Sequence, residues 1–164
     1  PNGLHLEAIT DRVAEVLFQS GFKTIRLGFE TADVQRAQDS CNKTSIKKLY
    51  SAVSLLTKQG YAAQDIEVYI LCGLPGQSYE EVVQSIRAAS ACGVIVRLCQ
   101  YSPIPGTVEY AKSLSRTPDI AEEPLLHNNS IYQLIANPDG WQRLQETKQL
   151  AAALNKQNKT KVLL

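Results

Sequence analysis

The sequence predicts an α/β fold: a partial β/α barrel fragment with three parallel strands flanked by helices, followed by a C-terminal helical extension. Three observations predict it. Helix-like and strand-like apolar spacings take turns along residues 6–116, and such alternation implies parallel strands joined by right-handed crossovers. The second strand runs through Gly73-Leu-Pro-Gly76 straight into a helix start, which is the layout of a βα unit. Each strand also carries one apolar and one polar face, whereas an ordinary parallel sheet is apolar on both.

The elements follow in order. Leu6, Ile9, Val13, Val16 and Leu17 repeat at helical spacing, and Gly21 stops that helix. Residues 24–29 read as the first strand, ending at Glu30, and a polar loop continues through Asn42. Thr44 is placed to cap a second helix that presents Ile46, Leu49, Tyr50, Val53 and Leu56 on one face and stops at Gly60. Residues 66–72 form the second strand. Ser78 and Glu81 have the spacing of a capping box, in which each side chain satisfies a free N–H of the first turn. That helix ends at Gly93, and residues 94–100 form the third strand. A short helix starts at Thr107. Beyond residue 116 the pattern changes to turns, an irregular stretch, a helix over residues 131–135 and a last helix over residues 141–154. The division is therefore 1–116 for the barrel part and 117–164 for the remainder.

Composition narrows the function classes. The 164 residues carry a net charge of +1 with no basic stripe, so no nucleic-acid signal stands out. No run of 18 apolar residues exists to span a membrane. Cys41, Cys72, Cys92 and Cys99 form no CxxC pair, which argues against a zinc or thioredoxin-like site and reads as reduced thiols in a cytoplasmic protein. The chain opens on Pro1 and contains no Met, which reads as a segment of a longer parent protein or as the product of processing.

Side chains alternate across a strand. Ile25, Leu27 and Phe29 oppose Arg26, Gly28 and Glu30; Ile66, Val68 and Ile70 oppose Glu67, Tyr69 and Leu71; Val94, Val96 and Leu98 oppose Ile95, Arg97, Cys99 and Tyr101. The first set of each strand should meet helices, and the second should line a wet lumen. Unpaired burial of Arg26, Glu67 or Arg97 is too costly, so they must pair with one another, meet solvent or meet a ligand. Glu30 stands at the C-terminal end of its strand, where such folds bind ligands. Gly73-Leu-Pro-Gly76 reads as an anion-cradling turn or a plain tight turn. His5 and His127 read as structural or solvated.

Taken together, residues 1–5, 24–31, 69–77, 101–107 and 123–130 resemble the radical S-adenosylmethionine (SAM) superfamily, above all members with an upstream cobalamin-binding domain. The resemblance implies a partial (β/α)6 barrel whose parent holds a [4Fe-4S] cluster in a CxxxCxxC loop. That cluster reductively cleaves SAM to methionine and a 5′-deoxyadenosyl radical. The chain lacks CxxxCxxC, so the resemblance implies family strands four to six without the cluster loop, no metal ligand here, and a fragment inactive alone. It also implies cofactor-binding roles. Glu30 would contact polar groups of SAM, Leu71 would pack on the adenine and Tyr101 would border it. Arg26 completes the candidate set from the inner face. Cobalamin enters only through a further domain of the parent.

Two other readings stand beside it. One is a barrel lyase or isomerase with Glu30 or Glu67 as general base and Arg26 or Arg97 on an anionic substrate. The other is a non-catalytic binding module. Three parallel strands with two open edges also predict pairing with the rest of the parent chain and self-association.

Overall fold

The alternation of Ile25, Leu27 and Phe29 with Arg26, Gly28 and Glu30 builds a strand with one dry face, and the sheet grows from it. In the computed structural model, which describes residues 3–32, 45–136 and 140–160, β1 is Leu4–His5, α1 Asp11–Gln19, β2 Ile25–Glu30, α2 Ile46–Lys58, β3 Ile66–Cys72, α3 Tyr79–Ala91 and β4 Ile95–Gln100. Then come α4 Val108–Arg116, α5 Asn129–Ala136 and α6 Gly140–Thr160. The sheet is parallel throughout, in the order β1-β2-β3-β4. This is a partial β/α barrel with a C-terminal helix.

The sheet has four strands where the sequence predicts three. Leu4 and His5 pair with Leu27 and Gly28, and two residues are too few to show a period of two. Gly3 makes the approach possible, because a Cβ there would stand 2.6 Å from the backbone nitrogen of Gly28. The first helix also starts later than its apolar spacing suggests. Leu6 lies in a 3-10 turn, Leu6–Ala8, and Ile9 in the link after it, both buried. Thr10 then caps α1, its hydroxyl accepting from the Val13 N–H at 3.2 Å. The loop through Asn42 and the Thr44 cap lie outside the described residues; Ser45 caps α2 by accepting from Lys48 N–H at 3.2 Å.

The helix-facing set packs as expected. Leu27, Phe29, Val68 and Ile70 are fully buried against Leu49, Leu56 and Ile86 of the helices. The capping box at α3 is present in both directions, Glu81 N–H to Ser78 Oγ at 3.2 Å and Ser78 N–H to Glu81 Oε1 at 3.2 Å. Ser78→Ala therefore lowers the unfolding free energy by about 1 kcal/mol, read from the urea midpoint. A second, smaller cluster joins Tyr101, Ile120 and Tyr132 beyond the end of β4.

The last helix is longer than predicted, and its extra turns explain why. Asn155 sits beside edge strand β4 and imitates a strand: its Oδ1 accepts from Val96 N–H at 2.8 Å and its Nδ2 donates to Val96 O at 2.9 Å. Asn158 Nδ2 donates to Ser90 O at 3.0 Å and Val94 O at 3.1 Å. Asparagine is a weak helix former, so nothing local announces a helix that far. The expectation of two open edges is thus corrected in part: α6 pairs with the β4 edge at Val96, whereas among the described residues the β1 edge carries no such partner. Asn155→Ala removes both bonds to Val96, costs about 1–3 kcal/mol and adds species larger than wild type in a sedimentation profile. Among the described residues, no helix is long and apolar enough to cross a membrane.

Candidate functional site

The inner face of the sheet is arranged in rows by the strand register. Arg26, Glu67 and Ile95 share the row nearest the N-terminal ends; Gly28, Tyr69 and Arg97 share the next, with His5 beside Gly28; Leu71 and Cys99 lie above them. Pairing becomes irregular at the end of β2. The register shifts between Gly28 and Glu30, and Glu30 takes φ 63°, the left-handed region that non-glycine residues rarely adopt. Two hydrogen bonds hold the turn: Thr31 N–H to Phe29 O at 2.7 Å, and Ala32 N–H to the buried Ser85 Oγ at 2.8 Å. The strained residue thus stands at the C-terminal end of its strand, the end at which β/α folds place their ligand sites.

Above the rows lies an open cleft of about 360 Å³, lined by His5, Gly28, Glu30, Tyr69, Leu71 and Cys99 together with Gly3. Gly28 widens it, since no atom but backbone oxygens at 3.9 Å and beyond would meet a Cβ there. Two of the four candidate residues, Glu30 and Leu71, meet in this cleft. Arg26 is on the same face but nearer the opposite end, where its Nε–H donates to Glu67 Oε2 at 2.9 Å. Tyr101 is elsewhere. Its backbone N–H continues the ladder to Cys72 O at 2.9 Å, its hydroxyl lies 3.1 Å from Ser113 Oγ, and its ring stands edge-on to Tyr132 at 5.5 Å. Burial pushes that phenol up from its ordinary range. His5 and Cys99 were not among the sequence candidates. The signal for Cys99 was its place on the polar face; for His5 it was only its place in the resembling segment 1–5, because its strand was not visible.

Arg26, Glu67 and Arg97 do pair. Arg97 donates from Nε at 3.1 Å and from Nη2 at 2.5 Å to Glu67 Oε1. These bonds, then those from Arg26, hold the Glu67 carboxylate below its ordinary range against the opposing effect of burial. A carboxylate so lowered stabilises the fold above its unfolded pKa, and that contribution disappears as pH falls through the folded value. The arginine side chains are 49% and 54% exposed, so solvent limits the pair to about 0.5–1 kcal/mol. In urea melts, wild type is more stable than Glu67→Gln by that amount at neutral pH, and the gap closes under strongly acidic conditions.

The described residues do not fit an iron–sulfur cluster. No three His, Cys, Asp or Glu side chains among them converge on a metal position. Burial pushes the Cys72 thiol up to about 12 and the Cys92 thiol up to about 11, whereas cluster ligation needs thiolates.

No family model matches the chain, and no curated protein matches it. Among solved structures it is similar to coproporphyrinogen III oxidase (HemN) from Escherichia coli, a radical SAM enzyme, with a TM-score of 0.53 and 14% sequence identity. The fold is like that of the matching part of this enzyme. The match covers 65% of this chain and 24% of that one, so the chain spans about a quarter of the neighbour's length. At this identity the likeness concerns the fold, which agrees with the expectation drawn from the sequence.

Proposed function

We propose that this chain supplies part of the inner wall of a radical SAM barrel, whose parent protein cleaves SAM reductively to begin radical chemistry. The observation that carries the reading is the polar concave face, closed at one end by the strained Glu30 turn, in a fold like that of a radical SAM enzyme. In this reading the Glu30 carboxylate accepts hydrogen bonds from hydroxyl or amino groups of SAM, and Leu71 offers an apolar surface to the adenine. Tyr101, held by Ser113 and Tyr132, backs the wall, and Arg26 braces the lower row. The cluster ligands, and any cobalamin domain, belong to other parts of the parent, which also pairs with the open edge of β1.

The test is anaerobic reconstitution of the full parent with iron and sulfide, followed by assay for 5′-deoxyadenosine from SAM under reducing conditions. Formation of 5′-deoxyadenosine is expected, and its absence sinks the reading. Within the parent, Glu30→Gln weakens SAM binding about tenfold, the size of one charge-assisted hydrogen bond, in calorimetric titration with S-adenosylhomocysteine as a stable probe.

A further inference from the structure

The ion network on the inner face is not neutral. Glu67 is its keystone, with a side chain only 11% exposed, and it receives both Arg26 and Arg97. One carboxylate cannot balance two guanidinium groups. Arg26 commits its Nε–H, and Arg97 its Nε–H and one Nη2–H. Among the described residues each arginine thus keeps an Nη1 amino group with no partner. A guanidinium docked on a carboxylate by one edge presents the rest of its fork outward, in a geometry that matches carboxylate and phosphate oxygens. Glu67 fixes both forks and so removes much of the side-chain freedom that ordering an arginine costs.

Position supports the same reading. Arg97 shares a row with Tyr69 and Gly28, both of which line the cleft, and Arg26 lies in the row beneath. Ile95, 3% exposed, completes the lower row beside Glu67, while the two arginine side chains stay about half exposed and so open to a solute. The other carboxylate of the face, Glu30, stands at the far end, so the cleft is polarised along the strands. Two residues of strand separate one row from the next, about 7 Å. Arg97 is not part of the cleft lining, but it is the strand neighbour of Tyr69, which is, so a ligand that extends from the cleft along the strands meets Arg97 beside Tyr69.

We infer that Arg26 and Arg97, held on Glu67, form a receptor for the oxyanion end, carboxylate or phosphate, of an organic ligand whose body lies on Tyr69 and Leu71. The inference concerns the sheet face and does not rest on the radical SAM reading; failure of SAM cleavage in the parent leaves it standing.

The test is titration of the 164-residue chain, at constant chloride, with phenyl phosphate and with benzoate while following the arginine Nε–H resonances by NMR. Saturable shifts of the Arg26 and Arg97 signals with either probe are expected, and the tighter probe tells phosphate from carboxylate. Arg97→Gln and Arg26→Gln each weaken that binding about tenfold, as loss of a charge-assisted contact does. Arg97→Lys, which keeps the charge but not the fork, falls between, and Arg12→Gln on the exposed face of α1 changes nothing. Each variant is checked for a wild-type circular dichroism spectrum; should one fail to fold, the other arginine and the lysine variant carry the comparison. Absence of saturation with both probes, or affinities that Arg26→Gln and Arg97→Gln leave unchanged, overturns the inference.

Discussion

Phe29→Ala lowers the unfolding free energy by about 3–5 kcal/mol, the range for removing a buried aromatic side chain. Phe29 has no exposed surface and sits among the helix-facing residues of the sheet centre. Its carbonyl also receives the Thr31 N–H that closes the turn at Glu30. Alanine keeps that carbonyl, so an effect on the cleft comes through movement of the core beneath the end of β2. Urea unfolding measures the first effect, and the affinity for S-adenosylhomocysteine in the parent measures the second. A loss under 1 kcal/mol would show that the core collapses around the vacancy.

Gly73→Ala costs about 2–3 kcal/mol, from two sources that act together. The residue has φ 80°, and a Cβ in the left-handed region adds about 1–2 kcal/mol. That Cβ would also stand 2.1 Å from Gln133 Oε1 and 2.2 Å from its Nε2. Gln133 is 6% exposed, so it cannot swing into solvent without giving up its 3.0 Å hydrogen bond to Gly73 O, worth about 1 kcal/mol. The double variant Gly73→Ala, Gln133→Ala separates the sources. It should recover the steric part and retain the backbone part, seen as non-additive midpoints.

The strands and their faces were legible because alternation is written in consecutive residues: Ile25, Leu27 and Phe29 against Arg26, Gly28 and Glu30 needs no partner to be read. The caps at Ser78 and Thr107 were legible for the same reason. What escaped is what depends on distant partners. β1 is two residues long and becomes a strand only through Leu27 and Gly28. The turns of α6 around Asn155 exist because a strand edge 59 residues away lacks hydrogen bonds. The left-handed turn at Glu30 is a conformation that no local pattern announces, and Tyr101 follows inner-face parity yet packs on Tyr132 and Ser113. The candidate site was half visible: Glu30 and Leu71 meet, while His5 enters only once β1 is seen.

The amide of Asn155 gives the sheet a direction of growth. If two copies of this chain joined through their β1 edges, each would present to the outside a β4 already hydrogen-bonded by its own α6. A third copy would find the backbone of Val96 already paired. On the β4 side, one asparagine amide occupies the place at which the next strand would begin to pair.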